Sequence, residues 1–340
     1  MSRIPIVLLA LLFCCPAEAA SSRHSARKHR PTRTPARKVR SSIDPQAVND
    51  PGLVTPVGPG SAGSAVLRAQ ILLARAHFSC GEIDARYGTS LRGAIADFQG
   101  GRGLAGSGVV NEETWKVLNA DTAPALVRVP ITPEDVAGPF TPIPEDMMEK
   151  AKLPALSYSS PLEGIAEKYH VSPATLRALN PGAGFDRAEV EILVPNVLVP
   201  PPGKAASVVV SKSRHAVLAL DAGGRILSRY PATSGSEHDP LPIGKWKILG
   251  VSRNPVFHYN PNLFWDAKAT DEKTRIAPGP NNPVGVAWID LSKEHYGIHG
   301  TPEPSTIGKT QSHGCIRMTN WDVTELVAMI SAGTPAILEE

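Results

Sequence analysis

The spacing of apolar residues along residues 61–120 predicts a small helical domain. Apolar side chains recur there every three or four positions, which is the spacing of one face of an α-helix. The recurring residues of two helices are Val66, Ala69, Leu72, Leu73 and Ala76, followed by Leu91, Ile95 and Phe98. A third helix is expected to begin near Asn111 and to contain Trp115 and Leu118. Three short helices with one apolar face each predict an all-α three-helix domain.

A second helical pattern occupies residues 155–200 and ends in a short strand. Its apolar positions are Leu162, Ile165 and Ala166 on one helix, and Leu176 and Leu179, after Pro173, on another. Residues 190–194 then form an apolar stretch before three consecutive prolines at 200–202. Residues 121–154 are rich in proline and show no apolar period, so they are interpreted as a linker.

From residue 205 onward, short apolar runs bounded by turn residues predict β-strands. The expected strands lie at 208–210, 216–220, 226–230, 246–249 and 285–289. The sequence Asp221-Ala222-Gly223-Gly224 is a hairpin signal between the second and third of these strands. One helix is expected near residues 321–331. The last part of the chain, 205–340, is therefore predicted to be a mostly-β domain with an antiparallel sheet.

The first residues have the pattern of an export signal. Arg3 precedes an apolar run at 4–15, and Ala17 and Ala19 supply the small side chains of a cleavage site. The run is shorter than the roughly 20 apolar residues that span a bilayer. We therefore expect a signal peptide over residues 1–19 and a location in the periplasm or cell envelope. A retained membrane anchor is the alternative.

Charge is concentrated in one segment behind this signal. Residues 21–40 contain eight Arg or Lys and no acidic residue, although the net charge of the whole chain is only +3. Residues 20–60 are also rich in Ser, Pro and Gly, and they are expected to form a disordered basic arm and linker. The arm is either a solvated spacer or a contact to an anionic envelope surface. No nucleic acid is expected as a partner.

Candidate chemistry lies between residues 296 and 318. Two His-Gly pairs, His299-Gly300 and His313-Gly314, stand on either side of a loop that ends at Cys315. A cysteine nucleophile reacts as the thiolate, and a nearby imidazole assists by accepting the thiol proton. Glycine beside Cys315 allows close approach of a substrate carbonyl. Backbone N–H groups of Gly314 and Cys315 are then available to stabilise an oxyanion.

These residues have two other interpretations. A metal site would use His295, His299, His313 and Cys315, but their spacing matches neither a CxxC nor an HExxH zinc motif. A chance grouping of turn histidines around a buried cysteine is the other. After removal of the signal, Cys80 and Cys315 are the two remaining cysteines. They lie in segments expected to belong to different domains, and Cys80 is expected to be a buried, unreactive thiol.

The motif around Cys315 resembles the catalytic domain of L,D-transpeptidases, the YkuD domain. The resemblance rests on His299-Gly300 followed by Ser312-His313-Gly314-Cys315-Ile316-Arg317, and on Pro242-Ile243-Gly244-Lys245-Trp246, so it covers residues 205–340. It implies that Cys315 attacks a peptidoglycan tetrapeptide stem after its third residue, meso-diaminopimelate, and releases D-alanine. A second stem then resolves the thioester as a 3→3 cross-link, and the reaction requires no cofactor.

The same resemblance implies a role for each motif residue. His299 is the general base and acid, and the carbonyl of Gly300 orients its ring as the Asp of a Ser-His-Asp triad does. Amides near Gly314 and Cys315 form the oxyanion hole, which Ser312 and His313 shape. Arg317 either holds a substrate carboxylate or forms a structural salt bridge. An activated Cys315 is expected to be alkylated well below the pH that an ordinary thiol requires.

Two further resemblances point to peptidoglycan as the partner. Residues 61–120 resemble the peptidoglycan-binding domain family through the motifs at 81–88, 94–99 and 108–115. Residues 155–200 resemble a LysM module, a βααβ unit associated with N-acetylglucosamine polymers, although the opening strand at 155–159 is weak and Ser160-Pro161 replaces the usual Gly-Asp. The remaining alternatives are an L,D-carboxypeptidase, a transpeptidase that anchors proteins to the wall, and a non-catalytic wall-binding protein.

Overall fold

The computed structural model describes residues 43–312 and 314–340. The predicted signal peptide, the basic segment 21–40 and His313 lie outside these residues. Within the described ranges, no helix has the length and apolar character needed to cross a bilayer.

The first part of the described chain is a helical bundle. Its helices are α1 (Pro45–Asn49), α2 (Ser64–Arg75), α3 (Thr89–Gly101) and α4 (Glu112–Leu118). Asn111 begins α4, because its side chain accepts a hydrogen bond from the backbone N–H of Thr114 at 3.0 Å. The apolar faces of the helices meet in one core around Trp115 and Phe98, both of which are buried.

Residues 43–60 are a packed part of this bundle, so the interpretation of 20–60 as a disordered arm and linker is wrong for them. Val48 and Val57 are fully buried in the bundle core. Val57 and Val110 exchange backbone hydrogen bonds of 3.0 and 2.9 Å. Proline and glycine make this segment resemble a linker in composition, but the two valines give it apolar surface to bury against the helices.

The middle part of the chain is built around two antiparallel strands. Its elements are β1 (Leu126–Pro130), α5 (Pro133–Val136), α6 (Met147–Lys150), α7 (Pro161–Lys168), α8 (Pro173–Leu179) and β2 (Glu191–Pro195). Strand β1 pairs with β2, with Leu126 opposite Pro195. Strands β1 and β2 and helices α7 and α8 therefore have a βααβ order, and we call these four elements the βααβ unit.

The strand that opens the βααβ unit lies earlier than the sequence suggests. Residues 121–154, interpreted as a linker, supply β1, α5 and α6, whereas residues 155–159 form no strand. Leu156 instead bonds through its backbone to Pro278 and Asn281, each at 2.9 Å. The backbone groups of this segment are thus used by the C-terminal part of the chain rather than by β2.

The C-terminal part contains a nine-stranded sheet and one long helix. Its strands are β3 (Ser207–Ser211), β4 (Ala216–Leu220), β5 (Ile226–Pro231), β6 (Thr233–Ser234), β7 (Gly244–Arg253), β8 (Phe257–Tyr259), β9 (Thr274–Ile276), β10 (Ala287–Leu291), β11 (Gly297–His299), β12 (Ile316–Arg317) and β13 (Pro335–Glu339). Helix α9 spans Asn320–Met329. The sheet order is β5-β4-β3-β13-β7-β10-β11-β12-β6, and β8 and β9 form a separate hairpin.

This sheet is mixed, so the prediction of an antiparallel sheet is only partly correct. Strand β13 pairs parallel to β3, and β12 pairs parallel to β11. Parallel neighbours need a long connection, of about a dozen residues or more. Residues 300–315 provide that connection between β11 and β12, and helix α9 lies on the path that brings β13 back into the sheet.

The helical bundle is fixed to the edge of this sheet by backbone and side-chain contacts. Phe78 forms a parallel bridge with Arg229 of β5, and the N–H of Ser79 donates to the carbonyl of Arg229 at 2.8 Å. The guanidinium of Arg229 is fully buried and donates to the carbonyl of Ser79 at 2.9 Å and to Asp97 of α3 at 3.3 Å. The bundle therefore packs directly against the sheet and is not joined to it by a linker alone.

Replacing Arg229 should destabilise the protein strongly. In Arg229→Ala, the buried groups that face the guanidinium lose their donor, and we expect the free energy of unfolding to fall on the order of 3 kcal/mol. Arg214→Ala is the matched control, because Arg214 also pairs with Asp97, at 3.2 Å, but is half exposed. Chemical denaturation followed by tryptophan fluorescence measures both. Equal losses in the two variants would contradict the docking role of Arg229.

Candidate active site

The pairing of β11 with β12 brings His299 and Cys315 to one face of the sheet. Ile298 lies opposite Ile316, and His299 lies opposite Arg317. Partners in neighbouring strands point to the same face, and residues two positions apart along a strand share a face. Cys315 immediately precedes β12, two positions before Arg317, so its side chain shares the face of His299. In this register Cys315 falls opposite Gly297, so Cys315 and His299 are diagonal neighbours on the same face.

Both residues line a groove of about 1020 Å³ between this face and the β8–β9 hairpin. We call this space the catalytic groove. Aromatic residues supply much of its wall, and they include Phe257, Tyr259, Phe264, Trp288 and Tyr296. Of these, Tyr259 and Phe264 pack against each other with ring centroids 5.4 Å apart. This ring contact fits a packing role for Tyr259 and Phe264 as well as a role in substrate binding.

The ring of His299 is held by two neighbours. Its Nδ1 lies 2.7 Å from the carbonyl oxygen of Gly300, and its ring stacks on Trp288 with centroids 5.4 Å apart. A carbonyl only accepts hydrogen bonds, so Nδ1 carries the proton and Nε2 keeps a free lone pair. This is the contact that the predicted role of Gly300 requires. It leaves Nε2 as the atom that can accept a proton from a thiol.

Burial keeps both reactive groups neutral at rest. Desolvation lowers the pKa of His299 to about 4, although its hydrogen bond to Gly300 acts in the opposite direction. Desolvation also raises the pKa of Cys315, more than the hydrogen bond from the Gly297 N–H and the charge of Arg317 lower it. At neutral pH the pair is therefore a thiol and an imidazole. This differs from the expectation that Cys315 is alkylated well below the pH of an ordinary thiol.

The turn that carries Cys315 depends on Ser312 and Gly314. The hydroxyl of Ser312 donates to the carbonyl of Cys315 and accepts from the N–H of Gly235, both at 2.7 Å. Gly314 has a φ of +93°, and a Cβ at this position would lie 2.9 Å from the ring of Tyr296. Both the backbone angle and the lack of space require glycine here. His313, predicted to shape the same turn, lies outside the described residues.

Arg317 lines the catalytic groove beside Cys315 and His299. Its positive charge lowers the pKa of each of these two residues. Burial also lowers the pKa of Arg317 itself, although its side chain stays partly exposed to the groove. The two roles predicted for Arg317, binding of a substrate carboxylate and a structural salt bridge, both remain predictions.

The ligand set of the metal-site alternative includes His313, which lies outside the described residues. Over residues 43–312 and 314–340, no group of three or more His, Cys, Asp or Glu side chains is arranged to hold a metal ion. Cys80 and Cys315 are both free thiols, and Cys80 is buried in the bundle core. Burial raises the pKa of Cys80.

The sequence motifs did not identify three residues that shape the site. Trp288 stacks on His299, Tyr296 packs against Gly314, and Asn320 packs against Gly300. Trp288 lies opposite His299 on the neighbouring strand β10. This contact is set by the register of the two strands, which the motif does not reveal. Asn320 is five residues after Cys315, but its contact with Gly300 depends on how the chain folds back after β12.

Comparison with known sequence families adds a separate observation. Residues 205–338 match the family described as "L,D-transpeptidase catalytic domain", YkuD. Residues 62–118 match the family described as "Putative peptidoglycan binding domain". The matched ranges agree with the two segments whose motifs resemble these families.

Individual relatives carry the same family name. A Bacillus subtilis protein named "Putative L,D-transpeptidase YkuD" is 32% identical over 175 residues, which cover 51% of this chain and 90% of that protein. A Bacillus licheniformis protein of the same name is 34% identical over an equal length. A solved L,D-transpeptidase structure from Xylanimonas cellulosilytica covers 82% of this chain and 95% of its own, at 17% identity and a TM-score of 0.36. That structural likeness is too small to carry an argument.

The protonation states at the site give a testable pH dependence. Because the pKa of Cys315 is raised, the rate of its alkylation by iodoacetamide should still be increasing at pH 8.5, the ordinary pKa of a thiol. Peptide mass spectrometry measures the rate at Cys315 separately from Cys80. A rate that levels off below pH 7 would instead indicate a thiolate–imidazolium pair at rest.

Proposed function

The chain belongs to the L,D-transpeptidase family, with a YkuD catalytic domain and an N-terminal peptidoglycan-binding domain, and we propose that it cross-links peptidoglycan stem peptides through a thioester on Cys315. One observation carries the proposal. Strands β11 and β12 bring Cys315 and His299 to the same face of the sheet, and Gly300 fixes the ring of His299 with Nε2 unprotonated.

The first half of the reaction forms the thioester. The Sγ of Cys315 attacks the carbonyl carbon that links the third and fourth residues of a tetrapeptide stem, while Nε2 of His299 accepts the thiol proton. The resulting oxyanion is stabilised by backbone N–H groups of Gly314 and Cys315. When the tetrahedral intermediate collapses, His299 gives its proton to the leaving amine. D-Alanine departs, and the rest of the stem stays bound to Sγ.

The second half transfers the stem to an amine. The side-chain amine of a second stem attacks the thioester carbonyl, and Nε2 of His299 accepts a proton from that amine. Collapse of the second intermediate breaks the C–S bond, and His299 returns the proton to Sγ. The product is a 3→3 cross-link, and the enzyme regains its neutral thiol and neutral imidazole. Each proton thus moves between Sγ, Nε2 and substrate nitrogen without a cofactor.

The neutral resting pair supports general-base catalysis over a preformed thiolate. A thiolate on the part-buried Cys315 would lose some of the hydration that stabilises it in water. Removing the proton during the attack avoids a separate, unfavourable ionisation. With a pKa of about 4, His299 is unprotonated at neutral pH, so Nε2 is free to accept a proton, although it is a weaker base than an ordinary imidazole.

The catalytic groove is large enough for an extended donor peptide. Its volume of about 1020 Å³ lies at the upper end of the 300–1,000 Å³ usual for small-molecule sites. Arg317 lies within the groove, where its guanidinium can pair with a carboxylate of the stem. The partly exposed rings of Phe257 and Phe264 also line the groove and offer apolar surface to the rest of the peptide.

The other parts of the chain support the same partner. The N-terminal domain belongs to a peptidoglycan-binding family, so we propose that the protein acts in the cell envelope on an immobile polymer. Because this domain is docked on β5, glycan binding would orient the catalytic groove relative to a strand. Glycan binding by the βααβ unit and attachment of the basic segment 21–40 to an anionic surface remain parts of the proposal.

Incubation with tetrapeptide-bearing muropeptides tests the proposed reaction. The protein from residue 20 onward should release D-alanine and form a 3→3 dimer, both visible by mass spectrometry. Cys315→Ala should do neither, whereas Cys80→Ala, the matched control, should retain activity if that variant keeps its fold. Tripeptide without dimer would indicate an L,D-carboxypeptidase, and a stem joined to a protein amine would indicate wall anchoring. Binding without any reaction would favour a wall-binding protein and contradict the proposal.

A further inference from the structure

A buried amide from α9 packs under the residue that orients the catalytic base. Asn320 is the first residue of α9 and is 2% exposed. A Cβ added to Gly300 would overlap the Oδ1 of Asn320, and so would a Cβ added to Gly285. The Gly300 backbone therefore lies directly against this side-chain amide. It is the carbonyl of Gly300 that accepts the hydrogen bond from Nδ1 of His299 at 2.7 Å.

The orientation of the Asn320 amide is fixed by its hydrogen bonds. Its Oδ1 accepts from the N–H of Val286 at 3.2 Å. Its Nδ2 donates to the carbonyl of Pro280 at 3.1 Å and to both carboxylate oxygens of Glu167, at 3.1 and 3.2 Å. These contacts need an acceptor on one side and donors on the other. Among side chains of this size and shape, only that of asparagine provides both, because aspartate lacks the donors and leucine lacks both.

Glu167 comes from outside the catalytic domain. It lies on α7 of the βααβ unit, and its Oε1 also accepts from the hydroxyl of Tyr158 at 2.9 Å. Burial raises the pKa of Glu167 to about 7, against the effect of these hydrogen bonds. The carboxyl group lies part-buried at the interface between the βααβ unit and α9, where both of its oxygens contact Asn320.

We propose that Asn320 is a positioning residue for His299 and that Glu167 of the βααβ unit holds Asn320 in place. The chain of contacts runs from Glu167 to Asn320, from Asn320 to the Gly300 backbone, and from the Gly300 carbonyl to His299. The βααβ unit accordingly completes the support of the catalytic base, in addition to any contact it makes with glycan. The kinetic part of this inference rests on the proposed function.

Substitutions at Glu167 separate the hydrogen bond from the charge. Glu167→Gln keeps one oxygen, in the place of Oε1, that accepts from both Tyr158 and Asn320, and it loses only the contact made by Oε2. Glu167→Ala removes both oxygens. We expect Glu167→Ala and Asn320→Ala to lower kcat on the tetrapeptide by about 10- to 100-fold, with KM changed less than about twofold, because a misplaced base affects the chemical step. Glu167→Gln should stay within about threefold of the unchanged protein.

Lys168→Ala is the matched control for these variants. Lys168 is the neighbour of Glu167 on α7, but it pairs with Asp135 at 2.9 Å and is partly exposed. Its loss removes an ion pair from the same helix without changing any contact of Asn320. We expect unchanged kcat in this variant. The midpoint of thermal unfolding, measured for each protein, identifies any variant that loses activity by unfolding. If Asn320→Ala fails to fold, the comparison of Glu167→Ala with Glu167→Gln still tests the proposal.

A spectroscopic readout makes the inference independent of the substrate. In protein labelled with ¹⁵N-histidine, the Nδ1 proton of His299 should give a slowly exchanging resonance, assigned by its absence in His299→Gln. We expect this resonance to broaden or disappear in Glu167→Ala and to persist in Glu167→Gln and Lys168→Ala. An unchanged resonance and unchanged kcat in Glu167→Ala would overturn the inference. If the resonance changes as predicted but the protein has no activity on the tetrapeptide, the positioning role is upheld. Only the proposed function is then contradicted.

Discussion

The parallel pairing of β11 with β12 is the constraint on which the active site depends. It places His299, Cys315 and Arg317 on one face of the sheet, because partners in register point to the same side. Two adjacent parallel strands cannot be joined by a tight turn. The long segment between the two His-Gly pairs is therefore a geometric requirement of the fold, since it returns the chain to the same end of the sheet. Ser312 and Gly314 then shape the final turn before Cys315.

Burial of this face determines how the chemistry is done. The groove lies between the sheet and the aromatic β8–β9 hairpin, and desolvation there opposes both a thiolate and an imidazolium. A charged resting pair would be favoured in a more polar site, as in many cysteine enzymes. In this site Cys315 and His299 rest as neutral groups, and the fixed orientation of His299 prepares the proton transfer instead of a permanent ion pair. The reaction then depends on geometry, which the Gly300 carbonyl, Trp288 and the packing of Asn320 all restrict.

The sequence predicted those features that depend on nearby residues. His299, Gly300 and Cys315 belong to one short motif, and the helices around Phe98 and Trp115 follow a local period of apolar positions. Trp288 and Glu167 were not predicted, because their contacts depend on strand register and on the docking of one domain against another. The packed segment 43–60 and strand β1 were missed for a different reason. Proline is frequent in and around both stretches, and burial of Val57 and pairing of β1 with β2 are decided by distant partners.

The docked arrangement joins all three parts of the chain to one catalytic centre. Arg229 connects the sheet with the helical bundle, and Glu167 connects α9 with the βααβ unit. The central claim of the proposed function is that Cys315 is the nucleophile and forms an acyl-enzyme. Intact-protein mass spectrometry after brief mixing with a tetrapeptide stem, without an acceptor, tests it most directly. The account predicts an added mass equal to that of the tetrapeptide stem minus that of D-alanine, located on Cys315 by peptide mapping. Release of D-alanine by a Cys315→Ala protein would contradict it.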